Sequence, residues 1–160
     1  MTETSQRRGL SLAMTAAEVD LFLRDELICR VATTGPAGPH LSPLWFVWDG
    51  GALWLYSLTR SQRWTDLQRD PSVAVLVDAG TAYDELRGVE LRGRVRQVGE
   101  VPRTGLPTPQ PEPGLDHAER LFARKYGGTE LLTHDGRHAW LVLRPDAVLS
   151  WDFRKRAAQR

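Results

Sequence analysis

The stretch from His40 to Arg60, HLSPLWFVWDGGALWLYSLTR, decides how this chain folds. Two apolar, aromatic runs, His40 to Trp48 and Ala52 to Leu58, flank Asp49-Gly50-Gly51. An Asp-Gly pair between such runs is a strong short-range signal for a β-hairpin. Upstream, Ile28 to Thr34 reads as another strand, joined to the first run by the turn Gly35-Pro36-Ala37-Gly38-Pro39. Strands that meet strands through tight turns must run antiparallel, which argues against a parallel doubly wound sheet. No GxGxxG or Walker-type loop supports the parallel alternative.

Working outward, Ser72 to Asp78 (SVAVLVD) is a β-branched run without alternation, as expected of a strand buried on both faces. From Gly88 to Val98 the pattern alternates, with Val89, Leu91 and Val95 on one side and Glu90, Arg92, Arg94 and Arg96 on the other. The last strand material is His138 to Leu143 and, after Pro145, Ala147 to Phe153. Thr15-Ala16-Ala17-Glu18 has capping-box form, and Val19, Phe22, Leu23 and Leu27 follow at helical spacing, which predicts a helix over about Ala16 to Glu26. A short helix follows Arg63, and a third, capped by Asp116 and ended by Gly127-Gly128, places Ala118, Leu121, Phe122 and Tyr126 on one face. The predicted fold class is mainly β (α+β): about six strands closing a small antiparallel barrel, with about three helices packed outside. One domain spans residues 12–155, between a disordered N-terminal tail (1–11) and a basic tail (156–160). Residues 101–114, rich in proline, form a surface loop, read as an insertion in preference to a lid.

Composition narrows the function by exclusion. A formal charge of +1 over 160 residues gives no whole-molecule field for nucleic acid or an anionic membrane. No apolar run is long enough to span a bilayer and nothing resembles a signal peptide, so the expected location is the cytoplasm. Cys29, the single cysteine, lies in an apolar stretch and reads as a buried, inert thiol. His40, His117, His134 and His138 show no metal-site spacing with one another or with carboxylates, so no metal is expected. No G-x-S-x-G elbow is present. An enzyme with so little catalytic apparatus leaves the hard chemistry to a cofactor, or disperses its site.

Two features point to a ligand. Thr59 to Arg63 (TRSQR) brings hydroxyls and two arginines to a helix start, where backbone N–H groups already favour negative charge. It reads as a phosphate or anion cradle, or as an ordinary strand-to-helix connection with solvated arginines. Six tryptophans (Trp45, Trp48, Trp54, Trp64, Trp140 and Trp151) are many for this length. They are core and interface packing or, around Trp45, Trp54 and Trp64, a flat wall for a ring system.

The segments ICRVATTG, PHLSPLWFVWDGG, LYSLTRSQRWTDLQRDPSVAVLV, ELRGVELRGRV and SWDFRK, in this order, resemble the pyridoxamine 5'-phosphate oxidase-like, flavin-binding split-barrel family, particularly its deazaflavin-dependent branch. The resemblance implies a six-stranded split β-barrel and a two-fold homodimer with two cofactor sites at the subunit interface. It implies that the strand carrying Ser42, Pro43, Leu44, Trp45 and Phe46 runs along the cofactor ring, much of the contact being through backbone. It assigns Ser57, Thr59, Arg60, Ser61, Gln62 and Arg63 to the phosphate segment, with Arg63 as the main phosphate contact. Gln62 stands where the oxidases proper often carry a basic residue, and their C-terminal arginine-and-histidine substrate segment has no counterpart here. Trp151 and Arg154 are expected to line the pocket from the partner subunit.

The activity so implied is hydride transfer between a flavin-type ring and a small unsaturated or conjugated organic substrate. Coenzyme F420 is the preferred cofactor, its polyglutamate tail suiting extra basic residues at Arg60, Arg63, Arg92 and Arg94. FMN is the alternative. No catalytic side chain is assigned; a bound water or Tyr56 supplies any proton. The competing reading is a non-catalytic protein of the same fold that carries a flavin, deazaflavin or haem.

Overall fold

A computed structural model of the chain describes residues 6–108 and 111–159. Among these residues seven strands form: β1 (Ile28–Gly35), β2 (Gly38–Trp48), β3 (Leu53–Leu58), β4 (Ser72–Ala79), β5 (Arg87–Val98), β6 (His138–Leu143) and β7 (Ala147–Asp152). All pairings are antiparallel, and the order β4-β1-β2-β3-β6-β5 closes on itself through β4–β5, giving a six-stranded barrel. The seventh strand, β7, pairs with the first half of β5, while the second half pairs with β6. Gly93 sits where the two partners diverge. A Cβ there would fall 3.0 Å from Leu143 and 3.3 Å from Asp146 of the β6–β7 turn, so a larger side chain would push that turn away.

Three helices close the ends and one flank: α1 (Ala16–Asp25), α2 (Gln62–Arg69) and α3 (Leu115–Gly127). The capping box of α1 forms as its sequence predicts, Thr15 Oγ1 accepting from Glu18 N at 3.2 Å and Glu18 Oε2 from Thr15 N at 2.6 Å. Val19, Phe22 and Leu23 of α1, with Trp64 and Leu67 of α2, join the barrel interior, where Cys29, Val31, Phe46, Leu55, Val75 and Leu91 are fully buried. A second core lies outside the barrel wall, beneath α3. There Leu115, Ala118 and Phe122 cover Val47, Trp54, Tyr56, Trp140 and Val142. No described helix is long and apolar enough to cross a membrane.

Several expectations change. Residues 1–5 of the expected disordered tail lie outside the described residues. From Gln6 onward the chain is held, the Gln6 amide bonding both backbone groups of Ser150 at 3.0 Å and Leu10–Leu12 forming a 3-10 turn. Helix α3 is capped by Gly114, whose φ of 85° suits glycine, and Asp116 falls in its first turn. The alternation of β4 is plain. Val73, Val75 and Val77 point into the barrel, while Ala74 and Leu76 are half-buried on the outer face. The expected basic tail begins inside a 3-10 helix, Phe153–Gln159; residue 160 lies outside the described residues.

Candidate functional site

The barrel is split between β2 and β3. Strand β2 pairs with β1 over Gly38 to Trp45 but with β3 only at Phe46, Val47 and Trp48. Beyond Leu55, β3 turns its pairing to β6 alone. Two strand edges therefore part below Phe46, and their inward side chains there are Ser42 and Ser57.

Arg63, in the first turn of α2, bridges the gap. Its Nη1 donates to Ser42 Oγ at 2.6 Å and its Nε to Ser57 Oγ at 3.1 Å. The residue is only 5% exposed, yet no carboxylate lies within salt-bridge distance among the described residues. Burial draws its pKa below the ordinary arginine value. Asp66, one helical turn on and fully buried, does not neutralise it. That carboxylate accepts from Gln62 Nε2 at 2.7 Å and from Thr33 Oγ1 at 2.9 Å, and the Gln62 bond holds it below the usual range against the opposing effect of burial. A guanidinium has five N–H donors, of which two are committed here. Among the described residues no buried side-chain nitrogen or oxygen lacks a partner, so the Nη2 end of Arg63, which makes no bond among them, keeps some contact with solvent.

The turn before α2 is built from its own hydroxyls. Ser61 caps the helix, its Oγ accepting from Trp64 N at 3.1 Å and donating to Leu58 O at 2.8 Å. Thr59 donates both N–H and Oγ1–H to Arg137 O, at 3.0 and 3.1 Å. Both hydroxyl protons are therefore engaged, that of Ser61 within the turn and that of Thr59 on the segment before β6. The donors left for a ligand are the Arg63 guanidinium and the first-turn N–H groups of Gln62 and Arg63, which have no intrahelical partner. An open groove of about 580 Å³ adjoins the turn, lined by Leu58, Thr59, Arg60, Pro102, Gly136 and Arg137. Arg60 and Arg137 thus share one groove. Arg92 and Arg94 are engaged elsewhere, with Glu90 at 3.2 Å and Ser72 at 3.2 Å.

Along β2, Pro43 and Trp45 face outward and Leu44 inward. Trp45 is 51% exposed and stacks on Tyr126 of α3, ring centres 4.4 Å apart and 5° from parallel. The Phe46 side chain is buried in the barrel. Its backbone is held by Tyr126, whose Oη accepts from Phe46 N at 3.0 Å and lies 2.7 Å from the carbonyls of Phe46 and Leu27. Of the tryptophan wall only Trp45 is on the surface. Trp54 lies beneath α3 with its Nε1 on Asp49, and Trp64 is in the barrel core. Tyr56 also faces α3, stacked 4.7 Å from both His138 and Trp140, and burial pushes its pKa up to about 12. It is on the opposite face of β3 from Ser57 and is no proton source for a ligand at Arg63. Trp151 lies across β5 on Gly88, and Arg154 is held by Asp152 at 2.9 and 2.6 Å. Neither shares a contact with Arg63 within the chain. Cys29 is buried and its thiol pushed up to about 12 by desolvation. The described residues hold no group of three or more metal-competent side chains.

Sequence comparison matches residues 15–152 to the model of the pyridoxamine 5'-phosphate oxidase family. The chain belongs to that family. Among solved structures it is similar to a conserved hypothetical protein of Mycobacterium tuberculosis, at 29% identity over 96% of this chain and 93% of that one, with a TM-score of 0.74. It is also similar to an F420 reductase, at 27% identity over 81% of this chain and 94% of that one, TM-score 0.57. An FAD-binding protein of Mycobacterium smegmatis shares the fold at 19% identity over 89% and 98% of the two chains, TM-score 0.63. No curated protein matches the sequence. Within this family fold, sequence reasoning missed Tyr126 and Arg137. The first carried a signal, a helix-face aromatic; the second lies in a turn whose placement depends on the barrel.

Proposed function

We propose that the protein is an oxidoreductase that binds coenzyme F420, or alternatively FMN, and passes a hydride between it and a small unsaturated or conjugated organic substrate. The observation that carries this reading is Arg63, a buried cation oriented by two neutral hydroxyls and open at its tip. A buried charge without a counter-ion is costly, and a phosphate is the anion its planar fork fits. The residues present suit such a cofactor. Arg63 and the first-turn N–H groups of α2 would hold the phosphate, the unpaired edge of β2 offers backbone groups to a ring, and Trp45 offers an exposed face beside it. Arg60 in the adjoining groove adds positive charge beyond the phosphate, which suits the polyanionic tail of F420 more than FMN, while Arg137 in the same groove is paired with Asp135 at 3.5 Å. The F420 reductase among the similar structures supports the same preference.

When bound, the cofactor supplies the ring that accepts or donates the hydride. The chain binds and orients it, and the apolar outer residues Leu41, Trp45 and Ile28 exclude water. These residues are 65%, 51% and 47% exposed in the single chain, in an outer row of the β1–β2 pair in which Ile28 is opposite Trp45 and Leu41 follows beyond the Arg30–Pro43 pair. That row, with half-buried Ala74 and Leu76 of β4, supports a two-fold homodimer with its sites at the interface. A spectroscopic titration with F420 and FMN tests the reading. One of them should bind with a Kd below about 100 μM, roughly −5.5 kcal/mol, and the reading is overturned if neither does. Reoxidation of the reduced complex should then be faster with an enone or quinone than with buffer. A complex that binds but shows no such acceleration is a carrier.

A further inference from the structure

Between α1 and α3 lies a hollow of about 310 Å³, lined by Arg24, Val47, Trp48, Leu121, Arg124 and Lys125. It shares no residue with the Arg63 site. Its uncharged wall is apolar, and every charged residue that lines it is a cation. Arg124 is committed to Glu130, with contacts at 2.7, 2.9 and 3.1 Å. Lys125 is not committed. Among the described residues no carboxylate lies within salt-bridge distance of it. Its Nζ makes one long bond, 3.3 Å to Leu23 O, and rests 3.9 Å from the centre of the Phe46 ring. Lys155, the other lysine, is by contrast fully engaged, 2.6 Å from Glu18 and 2.7 Å from Ala13 O. Asp25 and Glu26 act on Lys125 only from a distance, Glu26 lying 3.8 Å from Arg87. Burial outweighs them and draws the Lys125 pKa down to about 8. Arg24, across the hollow, makes no ion pair among the described residues.

We propose that this hollow binds an amphipathic monocarboxylate, its anion seated on Lys125 and Arg24 and its apolar body on Val47, Trp48 and Leu121. A half-buried ammonium with two unused donors and no counter-ion gains most from a single compact anion. The apolar wall of Val47, Trp48 and Leu121 suits an apolar body behind that one charge. The volume lies at the small end of ligand pockets, about 300 Å³, and fits an acyl or aryl carboxylate of about ten to twelve heavy atoms.

Calorimetric titration with octanoate, octanamide, 2-naphthoate and 2-naphthamide tests this on the full-length protein. At least one carboxylate should bind about fivefold or more tighter than its neutral amide, as expected for one partly desolvated charge pair. Whether octanoate or 2-naphthoate is the tighter identifies the body as acyl or aryl. Lys125→Met, which keeps the stem, should reduce the preference to less than about twofold while leaving amide affinity in place. Arg24→Met, at an exposed position, should reduce it in part and remains readable if Lys125→Met does not fold. Equal affinity for carboxylate and amide, a preference that survives both substitutions, or no binding of any probe at about 10 mM overturns the proposal.

Discussion

Arg63→Met separates the two roles open to that side chain, because the stem stays and the charge goes. In the unliganded protein the guanidinium is nearly buried, makes two hydrogen bonds to serine hydroxyls and faces no carboxylate. Hydrogen bonds to a charged group contribute about 1.5–3 kcal/mol each, so the pair supplies roughly 3–6 kcal/mol. Against this stands a desolvation penalty of several kcal/mol for a buried ion, visible in the lowered arginine pKa. The two nearly cancel, and methionine recovers apolar contact in the same space. Stability without cofactor should therefore change by less than about 1 kcal/mol, a Tm shift within about 2–4 °C for a chain of this size. Affinity for F420 or FMN should fall by about 2 kcal/mol, near thirtyfold, through loss of the charge-assisted phosphate contact. Thermal unfolding of cofactor-free protein gives the first quantity and fluorescence titration the second; cofactor must be absent from the melt because bound ligand adds stability by mass action. A variant that loses more than about 3 kcal/mol of stability yet binds cofactor unchanged would refute the reasoning, showing an arginine that holds the split together for its own sake.

Tyr126→Phe should lower stability by about 1–3 kcal/mol, measured by urea unfolding, because it strips the Phe46 N–H and two carbonyls of their shared partner. Gly88→Ala places a Cβ 2.5 Å from the Trp151 ring and should cost about 1–3 kcal/mol by overpacking, with a changed Trp fluorescence; an unchanged melt counts against the β5–β7 packing. Glu100 is held down to about 2, first by the Thr104 hydroxyl, then by Thr104 N–H and Arg103, from an ordinary 4.5. A depressed carboxyl contributes stability that is full above 4.5 and is lost as pH falls towards 2, so Glu100→Gln should flatten part of the acid limb of the urea midpoint against pH. Leu41→Glu should convert a dimer to a monomer by light scattering without lowering helix content; a monomeric wild type at about 10 μM removes the dimer from the proposal.

The elements legible in sequence are those specified locally. The hairpin at Asp49-Gly50-Gly51 and the Thr15–Glu18 capping box carry their own geometry within a few residues, and both form. Arg63 reads as a candidate anion contact from its helix start, a local feature that forms at α2. The family resemblance assigns Ser42 to the cofactor strand, but its partnership with Arg63 is not legible in the sequence. Its bond to Arg63 spans 21 residues and depends on β2 leaving β3 at Phe46, a register that no local pattern encodes. The tryptophans show the same limit. Pairing Val47 with Trp54 sends Trp54 outward beneath α3, and period-two parity alone does not say which face a later helix will cover. In β4 the run SVAVLVD hides an alternation because both faces are apolar, so Ala74 and Leu76 read as core while the single chain leaves them half-covered. That mismatch is itself informative, since an apolar outer face of this kind is what the proposed homodimer would cover.

Serine at positions 42 and 57 leaves the charge of Arg63 uncompensated, which the proposed binding site requires. A carboxylate at either position would also fix the guanidinium, but it would neutralise it and leave an ion pair with no affinity to spare. Hydroxyls accept the Nε and Nη1 protons, fix the plane of the fork and leave its charge intact. Asp66 shows that the fold can bury a carboxylate one turn away on the same helix, yet it turns that group towards Thr33 and Gln62. Gly35 permits this, because a Cβ there would fall 2.5 Å from Asp66 Oδ1 and drive the carboxylate out of its seat. On the proposed function, a phosphate arriving at Arg63 would meet a guanidinium already ordered by two serines, so its free energy would go into the contact rather than into assembling it.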